Sequence, residues 1–392
     1  MATRRSHQKS RHGCSNCKRR RVKSISVTSS GQIAKIALSV MIHASTSRRS
    51  LWFFAGSSGR STGSSRKSVR GVRSSSEASS PARSYISPLG ATSGASPLNL
   101  AHLELELQWI MHTHKILARN EETRKVWEIP VLQEALHTAF LMHGILAISA
   151  LHLAHLRQDE RHAEWINIAI AHKSTALALF SEQLHNIDES NARAMMSFAS
   201  IAVVFSFASA HHYSNSDDGP GLNALIDILM LARGVQTVGN QVMEFLRHSN
   251  FAPLFDITDP GATVPGDVLA ALDALDDFNV QYGQRKKSHD VKSYERAIRN
   301  MKDLAPFTYA EPTSLTVVGG WAIRAPPEFL EGLKNREPLS LVILAHFCVF
   351  LHISRKNWYI GSWGRLILGE IVQILEANWH RHIKWAVVQV LK

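Results

Sequence analysis

Cysteine is scarce in this sequence, and that scarcity removes several classes at once. Three cysteines in 392 residues cannot build a disulfide framework. Cys14 and Cys17 form a C-x-x-C, while Cys348 stands far away in an apolar run. Such usage favours a reducing compartment. Acidic residues are nearly missing from the first hundred positions, which hold 18 Lys or Arg against one acid, Glu77. The remaining positions hold 26 basic and 31 acidic residues, so the net charge of +12 belongs to the N-terminal quarter alone. A basic arm on a mildly acidic body points to a polyanion partner, either nucleic acid or an anionic membrane surface.

Other signals are missing too. No apolar h-region follows the basic start, so no secretory signal is expected. The same start is Arg- and Ser-rich like a mitochondrial presequence, but it lacks an amphipathic stripe. Ala139–Leu156 carries His143, His152 and His155, and Ala194–Ala210 is rich in Ala and Ser. Both fall short of the roughly 20 strongly apolar residues of a membrane span, so no span is expected. There is no G-x-S-x-G, P-loop or dinucleotide fingerprint, and the glycine-rich stretch at 56–63 lacks the G-K-[ST] ending. Twenty-one histidines are present, but His137, His143, His152 and His155 make no HExxH. His152 and His155 are about one helical turn apart and can share a face. His211-His212 falls at a predicted helix end, where a cation suits the dipole. Cys348 reads as a small core residue. The expectation is a chain that is not an enzyme.

Three regions separate by composition. Residues 1–24 are basic and polar. Residues 25–97 are dominated by Ser, Gly, Arg and Ala, with short apolar patches at Ile33–Ile42 and Leu51-Trp52-Phe53-Phe54. They cannot bury enough apolar surface to offset their ordering entropy, which predicts a disordered basic linker. Residues 98–392 are helical in texture, and no useful strand alternation occurs in them. Leu103, Leu107, Ile110, Met111, His114 and Leu117 recur at the spacing of one helix face. Pro130 suits a first turn. Helices are predicted at about 132–157, 160–186 and 190–211, with Asp188 and Ser190 as candidate caps for the third. His212–Gly221 reads as a loop. Further helices are predicted at about 222–248, 266–283 and 290–304. Tyr294, Ile298, Met301 and Leu304 form an apolar stripe in the last. Pro306–Pro327 reads as irregular, with a β-prone run at Ser314–Val318. Final helices are predicted at about 327–334, 337–356 and 362–390. The fold class is all-α, a large irregular helical domain.

The chemistry concentrates at the start. Two thiolates spaced C-x-x-C chelate one metal, and the run Lys18-Arg19-Arg20-Arg21-Val22-Lys23 lowers thiol pKa and reaches phosphates. Ser10-Arg11-His12-Gly13-Cys14-Ser15-Asn16-Cys17 followed by that run resembles the opening of the fungal Zn₂Cys₆ binuclear cluster. In that family six cysteines hold two zinc ions, and a helix after the second cysteine enters the major groove. The resemblance implies that Cys14 and Cys17 are zinc ligands and that Arg20 and Arg21 read bases. Arg11, Lys18, Arg19 and Lys23 would then neutralise phosphates. It also implies a nuclear regulator of transcription whose partner is DNA.

The departure from that family is just as specific. Its third cysteine falls seven residues after the second, where this chain has Ser24, and the other three never follow. A retained intron or frame error between about Ser24 and Pro97 is the expectation this raises. The bland alternative for the motif is a chance C-x-x-C in a disordered basic tail.

The body carries a second resemblance. Leu105–Lys115, Val126-Trp127, Phe140–Ala154, Leu344–His352, Trp358–Arg365 and Trp379–Trp385 resemble the regulatory domain of sterol uptake control regulators. That likeness implies a helical domain that dimerises or binds an apolar small-molecule effector such as a sterol. Met142, Met195, Met196, Phe205, Phe207, Met230, Trp363 and Trp379 are the candidate liners of an apolar pocket, each of which serves equally as core.

Overall fold

A reciprocal cap at Asn120 illustrates how local sequence starts these helices. Its side-chain oxygen accepts from the Thr123 backbone N–H at 3.0 Å, and the Thr123 hydroxyl in turn accepts from the Asn120 N–H at 2.9 Å. The computed structural model describes residues 99–213, 220–258, 260–312 and 315–392. Among the described residues every regular element is helical, as the sequence implies. The helices are α1 (Leu100–Met111), α2 (Glu121–Glu128), α3 (Pro130–His137), α4 (Ala139–Leu156) and α5 (His162–Gln183). Next come α6 (Ala192–Tyr213), α7 (Leu222–Arg247), α8 (Gly266–Arg285), α9 (Val291–Ala310) and α10 (Leu315–Arg324). The last are α11 (Pro327–Lys334), α12 (Pro338–Ile353), α13 (Trp363–Ile374) and α14 (His380–Leu391).

Two helices are apolar all round, as helices at the centre of a large bundle must be. α4 buries thirteen of its 18 residues and α12 thirteen of its 16. Around α4 pack α5, α6 and α3, with the α4–α5 contact the most extensive in the body. α6 leans on α7, α7 on α10, and α10 on α9. α12 in turn carries α13, α14 and α9. Rings mark the joints. Phe140, Phe180 and Phe198 gather α4, α5 and α6 with centroids 4.7–5.7 Å apart. Trp321 of α10 stacks on Phe347 of α12 at 4.1 Å, and its indole N–H donates to the Ala297 carbonyl of α9 at 2.8 Å.

Helices α4, α6 and α7 are long and apolar enough to cross a membrane by length and composition. This corrects the expectation that the apolar segments fall short of a span. Here 72%, 67% and 61% of those windows are buried inside the protein body.

Several boundaries differ from expectation for physical reasons. The helix predicted over 132–157 breaks at Thr138, whose backbone is extended (φ −133°, ψ 101°) and separates α3 from α4. The helix predicted over 362–390 breaks at the extended Leu375 and restarts through a 3-10 turn at Ala377–Trp379. α9 passes through Pro306 to Ala310 rather than ending at 304. Residues 315–318 of the β-prone run lie in α10, a helix that packs on α7 and α9, so tertiary context outweighs strand propensity. The stripe Tyr294, Ile298, Met301 and Leu304 is buried as expected.

In α1 the buried face is not the one periodicity selects. Leu105 and Trp109 are fully buried, whereas Leu103, Leu107, Ile110 and Met111 are exposed. The rotation buries the indole of Trp109, and on the outer side the Glu104 carboxylate accepts from Arg157 at 2.9 Å and Arg161 at 3.3 Å at the α4–α5 corner. That pairing is compatible with the Leu105 and Trp109 side facing inward. His114 and Leu117, beyond the helix, are buried as expected.

Candidate functional site

Sequence periodicity on α5 places Trp165, Ala169, His172, Ala176 and Phe180 in the core, and these residues are buried. Lys173 sits beside that stripe and is carried in with it. It opens onto a cleft between α4, α5, α6 and α7. The walls are Gly144 and Ala147 of α4, Leu177 of α5, Phe198, Ile201, Ala202 and Phe205 of α6, and Leu231 of α7. Ser206 and Lys173 supply the polar lining. The cleft holds about 20 Å³ of enclosed room, enough for about one water, and about 350 Å³ counting the open mouth.

Gly144 lets the walls approach. A Cβ there would stand 2.6 Å from Cδ2 of Phe198, so α4 and α6 meet across a bare backbone. The Lys173 ammonium lies deep among the helices although the residue keeps part of its surface in solvent. It sits over the Phe205 ring, 5.4 Å from the centroid, and none of the ion pairs of the described residues includes it. Burial pushes its pKa down to about 8. The Ser206 hydroxyl donates to the Ala202 carbonyl at 2.8 Å, which leaves its lone pairs free to accept.

Of the residues expected to line an apolar pocket, Phe205 alone lines this cleft. Met195, Phe207 and Trp363 are fully buried in the core, and Met142, Met196, Met230 and Trp379 pack against it. Lys173 was missed because a lysine on a helix defaults to a solvated reading. Its only sequence signal is a position next to the buried stripe.

The histidines have structural partners. His152 Nδ1 lies 3.0 Å from the Thr113 hydroxyl and 3.4 Å from the Gln108 amide, and its ring stacks on Trp358 at 5.0 Å. His155 meets the same indole at 5.2 Å, so these two do share a face. Burial lowers the His152 pKa to about 4. His211 is a correction to the helix-end cation: its ring nitrogen bonds the Ile360 carbonyl at 3.2 Å and burial lowers its pKa, favouring the neutral imidazole. The Asp188 carboxylate accepts from the N–H and hydroxyl of Ser190, within the turn that precedes α6. Cys348 is fully buried in α12, and burial raises its thiol pKa above the usual range.

Cys14, Cys17, Arg11, Lys18, Arg19, Arg20, Arg21 and Lys23 all lie outside the described residues, as do Ser24 and the 25–97 segment. The donor set in the sequence does not fit a two-zinc cluster. Cys14 and Cys17 supply two of six thiolates, and the third cysteine of the chain is locked in α12. Among the described residues no group of three or more His, Cys, Asp or Glu is placed to hold a metal ion.

Residues 109–252 match the family model of the fungal specific transcription factor domain. The matched segment runs from α1 through α7 and contains every residue of the Lys173 cleft. A Zn(2)-C6 fungal-type transcription factor of Gibberella zeae is 24% identical over 333 residues. The similarity covers 78% of this chain and 66% of that relative, just under two thirds of its length.

Proposed function

We propose that this chain is a non-enzymatic regulator of transcription acting on RNA polymerase II genes in the nucleus. The match of residues 109–252 to the fungal specific transcription factor domain carries this reading. In it, residues 98–392 form the regulatory body, which pairs with a second copy or takes an apolar effector, a sterol being the family's example. Residues 1–24 are the DNA-contacting arm, and 25–97 the linker. Arg20 and Arg21 face bases, while Arg11, Lys18, Arg19 and Lys23 neutralise phosphates. Zinc on Cys14 and Cys17 is the family's expectation, and the two thiolates fall short of it.

Ser24 favours a second reading, a helical ligand-binding or interaction protein that has lost specific DNA binding. Selection of bound duplexes from a random pool, repeated across salt concentrations, separates the two. A regulator enriches a defined site, loses that enrichment with Arg20→Ala, and shows a slope of log affinity on log salt of about −4 for four phosphate contacts. A chain that binds every duplex alike, with the same salt dependence but no enriched site, is a polycation and belongs to the second reading.

A further inference from the structure

The Lys173 cleft is short of hydrogen-bond acceptors. A lysine ammonium carries three donors. Apart from water at its open mouth, the cleft offers the Ser206 oxygen and room for about one water as acceptors. Eight of the ten lining residues bring no polar side-chain atom at all. The ring of Phe205 provides a weak electrostatic partner and no acceptor lone pair. A buried cation left in this condition either loses its proton or recruits an anion. The lowered pKa of Lys173 has desolvation as its sole cause, so no other charge compensates it.

The walls select among anions. A halide or inorganic phosphate gains nothing from Phe198, Ile201, Leu177 and Leu231, and a phosphate dianion brings twice the charge of the one cation present. A carboxylate matches the ammonium in charge and number of acceptors, and an alkyl tail on it gains from the apolar walls. The 20 Å³ of free room sets the scale: the tail must displace the water and extend past the partly exposed Leu177 and Ala202.

We propose that this cleft binds a small monocarboxylate with an apolar tail, its carboxylate on the Lys173 ammonium and its tail against Phe198, Ile201 and Phe205. The site deepens the reading of the helical body as an effector domain and rests on it for a regulatory meaning. Binding itself does not depend on that reading.

The full chain is titrated calorimetrically with acetate, butyrate and hexanoate at constant ionic strength. Affinity is expected to rise about fourfold per added methylene over this series. Lys173→Met is expected to weaken hexanoate binding at least about tenfold, the loss of a charge-assisted contact, with helix content unchanged. Ala202→Leu, which narrows the mouth and leaves the charge, is expected to lose hexanoate more than acetate. In the unaltered protein, hexanoate is expected to slow reductive methylation of Lys173, read by peptide mass, relative to equal chloride. No saturable binding of hexanoate, equal affinity in Lys173→Met, or equal protection by chloride would each overturn the proposal. None of these readouts contains DNA. A chain that fails to select a DNA site therefore still tests the cleft, and an empty cleft leaves the DNA reading standing.

Discussion

The imidazoles of His143 and His172 meet Nδ1 to Nδ1 at 2.7 Å across the α4–α5 contact. One nitrogen must donate and the other accept, so the two rings cannot both be charged without losing the bond. His102 of α1 sits edge-on to His172, with centroids 4.9 Å apart. Burial is the main cause that lowers both pKa values, that of His172 to about 4, with neighbouring histidines adding to it. His152 and His346 are likewise pushed to about 4.

These depressed values make the body acid-sensitive. Above pH 6.5 such a histidine is neutral both folded and unfolded, and contributes no pH dependence. As pH falls from about 6.5 towards 4, the unfolded chain takes up protons that the folded one refuses, so stability falls. Each fully coupled histidine contributes a slope of up to about 1.4 kcal/mol per pH unit in that window. Unfolding midpoints measured between pH 7 and 4 should decline, and His172→Asn should decline less steeply. A flat profile over that range would rule out buried neutral imidazoles.

Two glycines at helix crossings should respond differently to alanine. At Gly364 a Cβ would meet the Cys348 carbonyl oxygen at 2.5 Å and the His352 nitrogen at 2.7 Å, both backbone atoms that cannot rotate away. At Gly144 the obstacle is the Phe198 ring, which can shift towards the cleft. Alanine gains about 1 kcal/mol of helix propensity at either site, against an overpacking cost of about 1–3 kcal/mol. Gly364→Ala should therefore be the more destabilising in urea denaturation. Equal midpoints for the two variants would contradict the crossing geometry.

On α1, the exposed and buried apolar residues should separate cleanly. Leu107 is 59% exposed and Trp109 fully buried. Leu107→Glu should change stability by less than about 0.5 kcal/mol, whereas Trp109→Ala should lose about 3–5 kcal/mol. Chemical denaturation of the two variants checks it, and the opposite ranking would restore the face that periodicity selects.

A retained intron or frame error between Ser24 and Pro97 predicts a spliced message encoding further cysteines after Cys17. Sequencing the transcript across codons 20–100 decides it. A message that reads through Ser24 and the Ser/Arg-rich text unchanged would exclude the idea.

What could be read from the sequence divides along physical lines. α9 was legible because Tyr294, Ile298, Met301 and Leu304 form its one apolar stripe. α1 was legible as a helix but not in rotation, since Leu105 and Trp109 compete with Leu103 and Leu107 for the core and packing against distant helices decides. The break at Thr138 left no trace, because apolar residues flank it on both sides. α10 was misread because Leu315-Thr-Val-Val is strand-prone on its own, and the contacts of α10 with α7 and α9 are not visible in the sequence. Lys173 and the His143–His172 pair were invisible for a shared reason. Each depends on which residues distant in sequence come to face one another.

The burial of α4 beneath α5 and α6 also bears on how the protein is made. At about 5–20 residues per second, the interval between the emergence of Leu156 and Tyr213 is on the order of several seconds. Until α5 and then α6 arrive, α4 is a largely apolar helix without the partners that later cover it. A nascent chain in this state presents what insertion machinery and chaperones both recognise. Its yield in cells should therefore be governed by how quickly the later helices arrive, as much as by the stability of the finished bundle.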